Sequence, residues 1–170
     1  KHYGYDMNTL NNVIVNDIIE KVLGEEKGFG ISWDLRDFIE RNANNKEIVA
    51  QSFTNLEYYL YLLYEVGKLI NRKLKVNTGL GIHNIDVNGR FVLRSVESLT
   101  KVRKFAEDSI FNMVDLKVRE LLDMVEYDTW TPSEANMEPS FAIKDFALFL
   151  ENLFTSIFLT LPLSFRTLGL

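Results

Sequence analysis

The sequence predicts an all-α fold, an elongated, rod-like bundle of about five helices. Three observations carry that prediction. Val49, Phe53, Leu56, Leu60, Leu63, Gly67, Ile70 and Leu74 follow one another at alternating steps of four and three. A mean step of about 3.5 belongs to a helix with a continuous packing seam, whereas a strand has a period of two. Leu99, Val102, Ala106, Ile110, Met113, Val118, Leu121 and Val125 form a second helical stripe further on. Pro132, Pro139 and Pro162 all fall in or beside the stretches where such patterns lapse.

The first helix is predicted from Asn8 to Leu23, with Leu10, Val13, Ile14, Ile18 and Val22 as its apolar face and Gly24 as its stop. Residues 24–30 hold Gly24, Gly28 and Gly30 around Glu25, Glu26 and Lys27, a loop composition. Ser32 is a suitable N-cap for a short second helix through Asn42, with Trp33, Phe38 and Ile39 apolar and Asn44 and Asn45 breaking it. The long helix follows, from Lys46 to Lys75.

Val76 to Phe91 is the least regular stretch. Ile85, Val87, the turn pair Asn88-Gly89, Phe91 and Leu93 would suit a β-hairpin. A lone hairpin is marginal without a sheet to join, so a long connecting loop is the better reading. A further long helix is predicted from Ser98 to Glu126, and a second break from Tyr127 to Ser140. The last full helix runs from Ser140 to Thr160, with Phe146, Phe149, Leu150, Leu153, Phe154, Ile157 and Phe158 making it aromatic, and Pro162 ends it. Leu56, Leu60, Leu63, Leu121, Leu150 and Leu153 are the expected core, and Trp130 is expected to pack at the junction of the last two long helices. Two helices of nearly 30 residues would each extend about 40 Å, hence a rod.

Composition bounds the function. The chain of 170 residues is long enough to bury about 70% of its unfolded surface as one domain. A net charge of −5 argues against a general nucleic-acid binder. The absence of cysteine excludes disulfides, thiolate metal sites and cysteine nucleophiles, and fits a reducing compartment. No apolar leader is visible, and the longest uncharged run, the 14 residues Asn152 to Phe165, falls short of the ~20 that a membrane span needs. Because the chain starts at Lys1 without Met and stops at Leu170 inside an apolar stretch, residues 1–170 are expected to be one bundle of a longer protein.

No catalytic, cofactor or metal constellation is found. There is no glycine-rich loop ending in Gly-Lys-Ser/Thr and no Gly-x-Ser-x-Gly elbow. Gly28-x-Gly30 and Gly79-x-Gly81 lack the third glycine of a dinucleotide fingerprint, and His2 and His83 stand far apart without ligand partners. The carboxylate pairs Asp34/Asp37, Glu25/Glu26 and Glu107/Asp108 read as solvated helix faces, since paired acids do acid–base work only where a pocket separates their pKa values. Lys68, Arg72, Lys73 and Lys75 complement the dipole at the end of the long helix. Arg90, Arg94, Lys101, Arg103 and Lys104, opposed by Glu97, read as a solvated helix start, with contact to an acidic membrane or acidic partner as the alternative. Tyr58, Tyr59, Tyr61 and Tyr64 nearly surround the long helix. Core packing against several neighbours is the first reading for them, and a partner-binding surface the second.

Several segments carry a family resemblance. Tyr127-Asp128-Thr129-Trp130 resembles the Tyr-Asp-Trp junction of the exocyst subunit numbered fifteen in the secretory series, called component six in animals. Thr129 interrupts that run. Ser140, Asp145, Phe149 and Leu150 hold the spacing of the family's next helix, which ends at a Leu-Pro matched by Leu161-Pro162 with one extra residue before it. Asn55-Leu56-Glu57 resembles the start of the family's long helix, Ala106-Glu107 its Ala-Glu pair, and Tyr3-Gly4-Tyr5 with Asn8 and Leu10 its Tyr-Gly-aromatic opening. Residues 24–31 are shorter than the family's equivalent, so a segment is expected to be missing there.

The resemblance covers nearly the whole chain and rests on the order and spacing of these motifs. It implies a helical rod from the complex that tethers secretory vesicles at the plasma membrane before exocytosis. It further implies contacts with other exocyst subunits, recognition of a GTP-bound Rab protein, and a cytoplasmic location, peripheral at sites of exocytosis. The alternative is a scaffold bundle that contacts other tether subunits only, the Rab site lying in an adjoining bundle. No nucleic acid, cofactor or catalysis is implied, and no Rab-contact residue is transferred.

Overall fold

The computed structural model describes residues 13–74, 92–126, 138–155 and Leu161. Five helices make up the described part, and no strand occurs among the described residues. Helix α1 is a π-helical stretch, Val13–Ile19, that runs into an α-helical turn, Glu20–Leu23. Then follow α2 (Ile31–Arg41), α3 (Lys46–Leu74), α4 (Ser95–Glu126) and α5 (Phe141–Leu153). The fold is the all-α bundle that the sequence predicts. At 1.5 Å per residue the 29-residue α3 and 32-residue α4 extend about 43 and 48 Å.

Helices α3 and α4 are the spine, and the core lies between them. Val49, Phe53 and Leu56 of α3 pack with Leu99, Val102, Ala106 and Ile110 of α4, and the cluster is closed by Ile39 of α2, Leu153 of α5 and Leu161. Each such aliphatic side chain contributes about 1.5–3 kcal/mol when fully buried. The predicted seam of α3 is buried only at its start. Leu60 and Leu63, expected in the core, are half-buried against it, and Gly67 and Ile70 further on are half-buried too. Among the described residues, Leu63 and Ile70 in this distal half also pack against a small satellite cluster built on Val15 and Leu93. Leu121 and Leu153 are buried as expected, whereas Leu150 is half-buried.

The first helix departs most from its sequence pattern. Val13, Ile14, Ile18 and Val22, its predicted apolar face, are exposed, and Val15 and Glu20 are buried instead. The reason is the wider π-helical turn, bonded from i to i+5, which brings residues five apart onto one side and rotates the 3.6-residue stripe outward. Ser32 is likewise not an N-cap. Gly30 holds that position, and Ser32 sits inside the first turn of α2, fully buried, with its Oγ donating to the carbonyl of Leu23.

Other ends are set locally. Asn45 not only breaks the chain but caps α3, its Oδ1 accepting the Ile48 amide at 3.1 Å. Ser140 caps α5, accepting the Ile143 amide at 3.4 Å. Helix α4 starts at Ser95, three residues before the predicted Ser98, because its first amides find a distant acceptor, the buried carboxylate of Glu20. The expectations on residues 8–12, on the loop or hairpin at 76–91, on Trp130 and on the end of the last helix at 156–160 with Pro162 fall outside the described residues.

Candidate functional site

The outer face of α3 changes character halfway along. At its start this face is polar, with Glu47, Gln51 and Asn55 exposed and the Gln51 Nε2 donating to Asn55 Oδ1 at 2.9 Å. From Tyr58 onward the same face carries Tyr58, Leu62, Glu65, Leu69 and Arg72, again at steps of four and three. Tyr59, Tyr61 and Val66 flank it, and all of these apolar and aromatic side chains are exposed, from 40% for Leu62 to 63% for Tyr58.

This corrects the first reading of the tyrosines. Tyr58, Tyr59, Tyr61 and Tyr64 lie between 48% and 63% exposed and take no place in the core. The α3–α4 seam leaves them no room, since Leu56, Leu60 and Leu63 occupy the side that faces α4. Lys68 stands at the edge of the face. Its Nζ lies 2.9 Å from Glu65 Oε1 and 4.3 Å from the centroid of the Tyr64 ring. The hydrogen bond that Lys68 donates to the Glu65 carboxylate raises the pKa of the Lys68 ammonium above its ordinary value. The face thus combines aromatic rings with one tethered cation.

Three members of the second basic cluster, Lys101, Arg103 and Lys104, are paired with acids, and Arg94 is exposed. Lys101 pairs with Glu97 at 3.2 Å, and Lys104 with Glu107 at 3.0 Å and Asp108 at 3.1 Å. Arg103 forms an ion pair with Glu57, joining α4 to α3. Glu107 departs from the solvated face expected of it, being 5% exposed beside the core residue Ala106 with Lys104 as its partner. Among the described residues no group of His, Cys, Asp and Glu could hold a metal ion, and no described helix is long and apolar enough to cross a membrane. His2, His83, Gly79, Gly81, Arg90, Lys75 and the side chain of Lys73 lie outside what is described.

A concave feature elsewhere has no counterpart in the sequence reading. An open groove of about 520 Å³ lies where the start of α3 meets α4 and α5. Ile110, Met113, Val114 and Phe149 line it, and Lys46–Glu47 and Lys117–Glu120 pair at its rim, at 3.8 and 3.1 Å. Its charges neutralise one another and none converges on a point, so it suits an apolar side chain and not a charged substrate. Residues from three helices build it, which no local spacing reveals. The outer face of α3 did have a signal, because the step of four and three runs on from Asn55 through Tyr58 to Arg72.

Comparison with known proteins adds the identity of the family. A family model described as the C-terminal part of exocyst complex subunit Sec15 matches residues 1–170. The Exocyst complex component SEC15 of Saccharomyces cerevisiae is 30% identical over 169 residues, which cover 98% of this chain and 16% of that protein. The chain therefore spans about one-sixth of the length of the curated relative it matches. No solved structure matches the chain.

Proposed function

This chain belongs to the exocyst Sec15 C-terminal family, and from that premise we propose that it is one helical bundle of a longer, multi-bundle subunit of the exocyst. In this reading the protein tethers secretory vesicles at the plasma membrane before fusion, working in the cytoplasm and peripherally at sites of exocytosis. It acts through protein–protein contacts, with no chemistry of its own. Its partners are other exocyst subunits and a GTP-bound Rab protein. The observation that carries the contact role is the exposed aromatic face of α3, with Tyr58, Tyr61, Leu62 and Leu69 on the side turned away from the core. Tyrosine and leucine in that setting suit a half-wet protein interface.

The test is a pull-down from cytosol on the immobilised chain, run in parallel with a GTP analogue and with GDP and read by mass spectrometry. A Rab protein retained only with the analogue supports an effector surface within these residues. Exocyst subunits retained equally in both, without a Rab protein, favour the scaffold reading and place the GTPase site in the rest of the protein. Retention of neither sinks both. Contact with acidic membrane has the weaker support, since Lys101, Arg103 and Lys104 already pair with acids. Binding to acidic liposomes that did not weaken with added salt would count against an electrostatic contact altogether.

A further inference from the structure

We propose that α1 is a two-register device: Glu20 holds it in the π register, and it rolls about a quarter turn into a continuous α-helix when that carboxylate leaves the start of α4. The inference goes beyond the tether reading and does not depend on it.

The sequence of α1 and its seat in the fold differ over which side faces inward. Along residues 14–23 apolar and polar pairs alternate, as Ile14-Val15, Asn16-Asp17, Ile18-Ile19, Glu20-Lys21 and Val22-Leu23. At 3.6 residues per turn this order gathers the apolar residues on one side and the polar ones on the other. The structure splits that apolar side. Val15 and Ile19 pack with Leu63, Ile70, Leu93 and Val96, and Leu23 is half-buried. Ile14, Ile18 and Val22 are 42%, 53% and 39% exposed, while Glu20 is buried and Asn16 half-buried. One apolar row has been given up so that the row of Asn16 and Glu20 can face α4.

The π turn and the carboxylate account for this together. In an α-helix residues five apart stand about 140° from each other, so Val15 and Glu20 could not both face the same neighbours. The π-helical stretch Val13–Ile19 brings them to one side. The gain is the pair of hydrogen bonds that Glu20 accepts from the Arg94 and Ser95 amides, at 2.6 and 2.8 Å. Bonds to a charged group are the strong ones, and here they offset the three apolar side chains left outside. With the carboxylate gone nothing offsets them. A roll of about 100°, the angle of one residue, keeps Val15, Ile19 and Leu23 at the interface. The same roll turns Asn16 and Glu20 out and Ile14, Ile18 and Val22 in. Two discrete arrangements of one element, biased by a single charge, make a switch. Because the first amides of α4 lose their acceptor in the same step, the register of α1 is transmitted to the start of the longest helix.

The experiment is hydrogen exchange read by mass spectrometry on the full-length protein, following peptides from α1. Ile18→Ala and Val15→Ala are each made in the parent and in Glu20→Ala. In the parent, Ile18→Ala should leave exchange of α1 unchanged or slower, since Ile18 is exposed and alanine is the better helix former. In Glu20→Ala the same change should speed exchange by about tenfold or more, because a side chain buried by the roll is lost. Val15→Ala should speed it in both backgrounds, because that row faces inward in both registers. If Glu20→Ala fails to fold, Glu20→Gln, which keeps one acceptor oxygen, should show the same order with a smaller factor. An equal effect of Ile18→Ala in both backgrounds overturns the proposal. So does exchange of α1 at the rate of a free peptide once Glu20 is replaced, which would mean that α1 detaches and does not roll.

Discussion

The carboxylate of Glu20 accepts the backbone amide of Ser95 at 2.8 Å across 75 positions of sequence, and its other oxygen accepts the amide of Arg94 at 2.6 Å. One side chain of α1 thus caps the longest helix of the bundle from outside. The first amides of a helix have no partner of their own, and the positive end of the dipole favours an anion there. Val15 and Leu93 pack beside this contact and keep water away.

Removing that cap should loosen both helices. A hydrogen bond to a charged group is worth about 1.5–3 kcal/mol, so Glu20→Ala is expected to cost about 2–4 kcal/mol by denaturant unfolding. Glu20→Gln keeps one acceptor oxygen and should cost about half as much. Amide hydrogen exchange at Arg94 and Ser95 should speed up in the same order. Unchanged exchange at both amides in Glu20→Ala would show that the carboxylate does not hold the start of α4.

The two faces of α3 separate packing from surface. Leu56 is fully buried among the residues of α4, whereas Leu62, less than two turns on, points outward. Leu56→Ala should cost about 2–5 kcal/mol through the cavity it leaves. Leu62→Ala should change stability by less than about 0.5 kcal/mol, as surface substitutions do. Equal costs at both sites would mean that Leu62 is covered within the protein itself, and the outer face would no longer be available to a partner.

How much of this could be read beforehand depends on how far each signal reaches along the chain. The seams of α3 and α4 were legible because dozens of residues keep one period, and both helices ended within a residue or start within three of the predicted bounds. The start of the last helix at Ser140 was legible from where the helical pattern resumes, whereas the cap that its Oγ supplies to the Ile143 amide is a finding of the structure. Glu20 capping Ser95 was not legible either, since nothing near Ser95 announces a carboxylate 75 positions away. The face of α1 was misread because a period of 3.6 was assumed where π-helical bonding applies. For the candidate site, the four tyrosines stand out in the sequence but their side does not, because tyrosine suits both cores and interfaces. The groove beside Ile110 and Phe149 left no trace, being made by the meeting of three helices.

The loop between α1 and α2 uses two glycines for different reasons. Gly28 has φ +76°, in the left-handed region, with open space around its Cα. A Cβ at Gly30 would lie 2.1 Å from the carbonyl oxygen of Gly24, a backbone atom that cannot step aside. Gly28→Asn should therefore be nearly neutral, because Asn tolerates left-handed backbone, and Gly28→Ala should cost about 1–2 kcal/mol. Gly30→Asn and Gly30→Ala should both be destabilising, by about 1–3 kcal/mol. Thermal melts of the four variants check the pattern, and an Asn rescue at Gly30 would contradict it.

Arg103 and Glu57 tie α4 to α3 by an ion pair whose side chains are 33% and 24% exposed. The pair is too wet to be a buried salt bridge and too dry to be an ordinary surface one. Arg103 Nε is buried and makes no hydrogen bond, so part of the guanidinium's desolvation goes uncompensated. The net stabilisation is therefore modest, whereas leaving either charge alone is costly. A double-mutant cycle with Arg103→Ala and Glu57→Ala should give a coupling of about 1 kcal/mol, with each single variant losing more than the coupling alone. Replacing both by apolar residues of similar size, Arg103→Met and Glu57→Leu, should recover most of the stability and so show that the pair orients the two helices more than it stabilises them. A coupling within error of zero would place the pair with the exposed ion pairs of the surface and leave α3–α4 registration to Val49, Phe53 and Leu56.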